Sequence, residues 1–190
     1  AIQRGEVDLY SQPIFAIGAR NVVGLEALLR WRHPTRGLLR PEKFLPMAEQ
    51  SNMIREIGLW AIRRALDDRV QLGLARHPDV AVSVNVSARQ LAEDGFLATL
   101  NRLLEERRIP PRLLRLELTE SAFIETPDRT IALIADLRRI GVRVIIDNFG
   151  TGYASLSYLK NLPVDGLKID HAFVKNLPAD RGNAAIVQAI

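Results

Sequence analysis

The chain has 190 residues, 47% hydrophobic and 25% charged, enough for one sizeable core and too ordinary in composition for a disordered segment. The absence of cysteine excludes disulfides and thiolate metal sites, and neither a run of about eighteen apolar residues nor a charged-then-apolar leader occurs in it. Its 26 basic and 22 acidic residues, net charge +4, are intermingled without the Lys/Arg block and interleaved aromatics of a duplex-binding surface; a small anionic ligand fits such a surface as well as a duplex does, and a merely solvated arginine-rich surface is the plainer reading, so no nucleic-acid duplex is expected as a partner.

In chain order, two strand-like segments come first, VDLYSQPIFAI (7–17) and NVVGLEALLRW (21–31). Only Gly18, Ala19 and Arg20 separate them, which predicts an antiparallel hairpin. Between Pro41 and Leu72, Ile54, Ile57, Ala61 and Ala65 have the three-and-four spacing of a helical face. The strand VAVSVNV (80–86) follows, then a helical stripe of Phe96, Leu97, Leu100, Leu103 and Leu104, then the strand LLRLELTE (113–120). Thr126 and Pro127 read as a hydroxyl cap and first helical position, opening a helix with Leu133, Ile134, Leu137 and Ile140 that ends at Gly141. The strand VRVIID (142–147), a short helix-like ASLSYLKNL (154–162) and the strand GLKID (166–170) complete the pattern. The chain opens on Ala1 rather than methionine and stops inside a helix-like NAAIVQAI (183–190), so a piece of a longer polypeptide is expected.

Strands alternating with helices predict a parallel sheet, and side-chain parity chooses its form. Val80, Val82, Val84 and Val86 share one face, and Ala81, Ser83 and Asn85 the other; Leu114, Leu116 and Leu118 oppose Arg115 and Glu117. Val142, Val144 and Ile146 oppose Arg143, Ile145 and Asp147, Leu167 and Ile169 oppose Lys168 and Asp170, and Val23, Leu25 and Ala27 oppose Gly24 and Glu26. A doubly wound sheet is apolar on both faces. One aliphatic and one small or polar face instead predicts an α/β fold of TIM-like (β/α) barrel type with an antiparallel first strand.

In such a barrel Glu26, Asn85, Glu117, Asp147 and Lys168 point inward near the carboxyl ends of their strands. Carboxylates brought within about 4 Å repel by roughly 4 kcal/mol per pair at an effective dielectric near 20. Either protonation or salt bridges to Arg115 and Arg143 neutralise them, closing an internal ion-pair network, or a divalent cation does. Oxygen donors without histidine or cysteine favour a hard ion over zinc. The turn Gly150-Thr151-Gly152 directly after Asp147-Asn148-Phe149 allows exposed backbone N–H groups beside those acids. His33, His77 and His171 stand isolated, without ligand or relay spacing, and Phe149 and Tyr153 read as packing residues.

Six motifs occur in a fixed order: Gln12-Pro13-Ile14; Glu26-Ala27-Leu28 with Arg30-Trp31; the Asn85 strand; Glu117-Leu118-Thr119-Glu120; Asp147 to Gly152; and Leu167-Lys168-Ile169-Asp170. In this the whole chain, 1–190, resembles the EAL domain, the family of cyclic di-GMP-specific phosphodiesterases with a TIM-like barrel. The resemblance implies metal-dependent hydrolysis of cyclic di-GMP to linear pGpG with Mg²⁺ or Mn²⁺, Ca²⁺ binding and inhibiting. It makes Glu26, Asn85, Glu117, Asp147 and Asn148 the metal ligands, with Glu26 and Asp147 among the catalytic residues. Lys168 would position or polarise the attacking water, Gln12, Arg30 and Asp170 would meet the nucleotide, and Glu120, Gly150, Thr151 and Gly152 would position the loop. It further implies a homodimer, fusion to a GGDEF or sensory domain, and a cytoplasmic location, free or as the cytoplasmic part of a membrane-anchored protein.

Two departures qualify the expectation. The family has a second aspartate where Asn148 stands, and an amide brings no charge to a second dication. Family members also continue into a glutamate-bearing strand and a Gln-Gly turn that this sequence does not contain. The expected enzyme is therefore impaired in this form; the alternative is a degenerate cyclic di-GMP receptor or regulatory module without turnover.

Overall fold

The computed structural model describes residues 1–51, 53–125, 127–150 and 162–190. The expected hairpin forms from β1 (Val7–Phe15) and β2 (Val22–His33), paired antiparallel with Gln12 opposite Glu26. The end of β2 is also met by β3 (Gly37–Leu39), a short antiparallel return that the sequence pattern did not indicate. Here the Trp31 ring stacks edge-on to His33 and Phe44, its indole N–H donates to Glu6, and the His33 ring nitrogen accepts from the backbone of Thr35 and Arg36. His33 is thereby a turn residue, as its isolation in the sequence suggested.

Four strands then add in parallel: β4 (Ala81–Asn85), β5 (Leu114–Thr119), β6 (Arg143–Phe149) and β7 (Gly166–Ile169). The path runs β1-β2-β4-β5-β6-β7, with β3 attached to β2. The stretch after Pro41 divides into α1 (Leu45–Gln50) and the long α2 (Met53–Gln71). Ile54, Ile57, Ala61 and Ala65 of α2 are buried as their spacing predicts, with the adjoining Ile62 and Leu66 fully enclosed. After β4 come α3 (Ala88–Leu91), capped by the Ser87 hydroxyl accepting from Gln90 N, and α4 (Phe96–Glu106), which buries Phe96, Leu100, Leu103 and Leu104. The short α5 (Ala122–Glu125) leads to α6 (Pro127–Arg139), whose Ile134 and Leu137 enter the core; its expected cap, Thr126, lies outside the described residues. After β7, Asp170 and Asp180 cap α7 (His171–Val174) and α8 (Arg181–Ala189). The helix-like 154–161 also lies outside the described residues.

The two faces of the sheet differ as parity predicts. Leu114, Leu116, Leu118, Val144 and Ile146 are sealed in a core with Val82 and Val84, under α2, α4 and α6. Each such aliphatic side chain contributes about 1.5 to 3 kcal/mol by leaving water, which fixes the register, because a one-residue slip would exchange the faces. The opposite face carries Ser83, Arg115, Glu117 and Asp147.

Candidate functional site

The register determines which polar groups meet. Glu26 lies opposite Ser83, so Asn85 is two residues further up β4; Asn85 lies opposite Glu117; and Glu117 lies opposite Ile145, which puts Asp147 two residues further up β6. Since side chains alternate, these groups share one face and climb toward one rim. Between β6 and β7 the ladder breaks: Ile146 pairs with Leu167 and Phe149 with Ile169, three residues against two. The extra residue is a β-bulge, with Asn148 in left-handed backbone at φ 55°. Asparagine tolerates that conformation better than most side chains.

Glu26, Glu117 and Asp147 each offer an oxygen, and the three lie within 4.8 Å of one another. The Lys168 ammonium sits among them, 2.6 Å from Glu117, 2.9 Å from Glu26 and 3.2 Å from Asp147. Asn85 Nδ2 donates to Glu26 at 3.5 Å. All five predicted residues are thus brought together, and the cation among them is Lys168; among the described residues neither Arg115 nor Arg143 makes an ion pair with the acids. Arg115 and Arg143 are instead neighbours in register, and burial, then the Arg143 charge, lowers the Arg115 pKa against the opposing pull of Glu117.

Glu117 is almost completely buried, and that burial pushes its carboxyl pKa up, against the charge and hydrogen bond of Lys168. Burial alone would lower the Lys168 pKa, but the charge and hydrogen bonds of Glu117, Glu26 and Asp147 outweigh it and raise the value. Lys168 therefore remains an ammonium at neutral pH, a donor and not a base. With all three acids ionised, one ammonium leaves two negative charges uncompensated. Carboxylate and amide oxygens suit a hard dication, whose opposed ligands stand about 4.2 Å apart at magnesium-like bond lengths of about 2.1 Å. The spacing and the donor set fit such an ion after a small contraction.

Beside the cluster opens a cavity of about 600 Å³. Glu26, Asn85, Glu117, Asp147 and Asn148 line its polar wall, and Leu45, Pro46, Ile54, Ile57 and Ala61 its apolar wall. That size and mixture suit a ligand of nucleotide dimensions. Thr119 and Ser121, joined by a 2.8 Å hydroxyl contact, also line it and were not singled out from the sequence, although Thr119 falls two residues beyond the inward Glu117. Arg89 reaches across the mouth to the Glu49 carbonyl.

The remaining predicted residues stand outside the cluster. Gln12 is exposed, next to Glu26 on the adjoining strand. Arg30 shares the face of Glu26 about 13 Å along β2, with its guanidinium 5.6 Å from the Tyr10 ring centre and donating to the Leu29 carbonyl. Asp170 uses its carboxylate to cap α7. Glu120 accepts a 2.7 Å hydrogen bond from Gly150 N, tying β5 to the turn after the bulge; Thr151 and Gly152 lie outside the described residues. No helix among the described residues is long and apolar enough to cross a membrane.

The EAL domain family model matches residues 1–190. The chain is 42% identical over 190 residues to the cyclic di-GMP phosphodiesterase NbdA of Pseudomonas aeruginosa and 40% identical over 191 residues to the bifunctional diguanylate cyclase/cyclic di-GMP phosphodiesterase MucR of the same organism. All of the chain is matched in both, but it spans only 24% and 28% of those proteins. Among solved structures, the MucR phosphodiesterase in complex with c-di-GMP superposes with a TM-score of 0.91 at 40% identity, over all of this chain and 77% of that one. The EAL domain of FimX from Pseudomonas aeruginosa bound to c-di-GMP gives 0.85 at 25% identity, over 100% and 75%. The seven-stranded mixed sheet is therefore a TIM-like barrel architecture of the kind parity indicated.

Proposed function

Because the chain belongs to the EAL domain family, we propose that residues 1–190 form the hydrolytic domain of a metal-dependent enzyme that opens cyclic di-GMP to linear pGpG. The observation that carries this reading is the convergence of three carboxylates from three separate strands around Lys168, at the edge of a cavity of nucleotide size. Glu26, Asn85, Glu117 and Asp147 would hold a first Mg²⁺ or Mn²⁺, and Asn148 would serve as a ligand at a second. Bound there, such ions lower the pKa of water and stabilise the charge that grows on phosphorus and on the leaving oxygen.

The chain's own residues supply the positioning. Lys168, kept protonated by its carboxylate neighbours, holds the three acids together and would donate to the attacking water or to a phosphoryl oxygen. The water oxygen adds in line to phosphorus, the opposite P–O bond breaks, and the proton from water ends on the released hydroxyl. Gln12, Arg30 and Asp170 contact the nucleotide, and Glu120 with Gly150, Thr151 and Gly152 holds the loop beside Asp147. Ca²⁺, larger and looser in its coordination, would occupy the site without supporting turnover. The whole protein is a cytoplasmic homodimer or the cytoplasmic part of a membrane-anchored one, with a GGDEF or sensory domain on the same chain.

Asn148 favours a second reading, a cyclic di-GMP receptor without turnover, since a neutral amide at this position weakens the second ion. Incubating the full-length protein, with Asn148 and with Asn148→Asp, with cyclic di-GMP and Mn²⁺ and following products by chromatography separates the two. The enzyme reading expects slow pGpG formation that Asn148→Asp raises by about tenfold or more. No product from either protein, with calorimetric binding of the dinucleotide intact, selects the receptor.

A further inference from the structure

We infer that Phe173 is a positioning residue for the acid cluster: its ring and the Glu120 carboxylate together hold Gly150, and so fix the bulge that aims Asp147. The inference rests on reading the cluster as a metal site. The backbone between Asp147 and the turn is unusual, because Asn148 at φ 55° and Gly150 at φ 98° are both left-handed, with only Phe149 between them. Such conformations are costly at a non-glycine residue and persist only where the surroundings over-determine them.

Three contacts do so. Gly150 N donates to Glu120 at 2.7 Å, and Phe149 is buried in the core while its carbonyl accepts from Asp170 N at 3.3 Å. The third is steric: a Cβ on Gly150 would lie 2.7 Å from Phe173 Cε2 and 3.1 Å from Cζ, so the ring occupies the space that a side chain there would need. Phe173 is placed for this by its own segment. Asp170 caps α7 by accepting from Ala172 N at 2.7 Å, and its carbonyl accepts from Phe173 N at 3.1 Å, which sets the first turn against the bulge.

The same short segment carries Lys168 on β7. Phe173 therefore locks the strand bearing the ammonium to the strand bearing Asp147, the two groups being 3.2 Å apart. It lines neither the cluster nor the cavity, and it is only half-buried, unlike the enclosed Phe123 and Phe149. A half-buried phenyl ring against a glycine contributes little as core and much as a stop for the backbone. Residues that orient metal ligands from behind typically change metal affinity tenfold or more when removed.

The test compares the full-length protein with Phe173→Ala, Phe173→Leu, Gly150→Ala and the Phe173→Ala/Gly150→Ala double variant. Calorimetry gives Mn²⁺ affinity, and hydrogen–deuterium exchange with residue-level fragmentation reads the Gly150 amide. Phe173→Ala is expected to weaken Mn²⁺ about tenfold and to speed exchange at Gly150, leaving the Leu116 amide in β5 unchanged, and Phe173→Leu to recover most of both. Gly150→Ala should cost less affinity in the Phe173→Ala background than alone, since the ring it would strike is gone. Both readouts within about twofold of the parent in Phe173→Ala, or strictly additive effects in the double variant, overturn the inference. Should Phe173→Ala not fold, Phe173→Leu against Phe173→Val gives the same graded comparison. If the parent itself binds no Mn²⁺, the metal reading of the cluster falls, and exchange at Gly150 alone decides whether Phe173 holds the bulge.

Discussion

Replacing Lys168 by methionine keeps the length of the side chain and removes the one ammonium that three carboxylates share. Its nitrogen lies 2.6, 2.9 and 3.2 Å from Glu117, Glu26 and Asp147. Taking one partner from a buried ion pair costs about 3 to 5 kcal/mol. Lys168 is 31% exposed and Glu26 and Asp147 15% exposed, so water screens part of the loss, and about 2 to 3 kcal/mol is expected for Lys168→Met at pH 7 without divalent ions. The sign with pH follows from the directions of the shifts. The Lys168 pKa is raised in the folded state, so its contribution is fully present below the usual 10.5 and is lost only above that, as pH rises through the folded value. Glu117 is also raised and binds its proton more readily folded than unfolded; in the variant the deficit should therefore shrink as pH falls toward the usual 4.5. Urea unfolding at pH 7 and pH 5, with and without Mn²⁺, measures this. Mn²⁺ at about a hundred times its dissociation constant adds about 2.7 kcal/mol and should restore most of the loss at pH 7. A variant as stable as the parent at pH 7 in the absence of Mn²⁺, or one that Mn²⁺ does not stabilise, refutes the reasoning.

Two further outcomes bear on the scaffold. Leu116→Ala, at a fully enclosed position of the central strand β5, should lower stability by about 2 to 5 kcal/mol in chemical denaturation, with cyclic di-GMP affinity retained while the domain is folded. Glu6 is held at a pKa of about 2 by the hydrogen bonds of Arg4 and Trp31, so its stabilising contribution is present above the usual 4.5 and disappears as pH falls toward 2; carboxyl titration by NMR checks the value, and Glu6→Gln should flatten the pH dependence of unfolding in that interval.

The polar rim was legible from the sequence because a strand repeats every two residues. Alternation alone put Glu26, Asn85, Glu117, Asp147 and Lys168 on one face, and a buried aliphatic row behind them gave the pattern only one stable orientation. What alternation does not encode is where it breaks. The bulge at Asn148 is a backbone event, set by Glu120 and by the approach of Phe173, residues far from it in sequence, and Asn-Phe-Gly resembles many ordinary turns. The choice of Lys168 over Arg115 and Arg143 as partner of the acids was equally hidden. All three lie on the inward face, and the pairing of Ile145 with Gly166 and Ile146 with Leu167 brings the lysine to the level of Asp147, while Arg115 and Arg143, paired with each other, remain below the acids on their strands. The return strand β3 is too short to show periodicity and is held by its antiparallel pairing with Trp31, Arg32 and His33 at the end of β2. Asp170, expected at the nucleotide, has a local use as a helix cap that its position before His171-Ala172 permits.

Drawing one polar side chain from each of five strands has a kinetic corollary. Contacts so distant along the chain form slowly, because each closes a long loop before anything rewards it. During synthesis the acids of β2 and β5 emerge well before β7, and until β7 docks they are separate, mutually repelling groups that lack their shared ammonium. On the proposed metal reading, a dication would meet the full set of acids only once β6 and β7 have docked, and a half-made chain would offer it no competent centre.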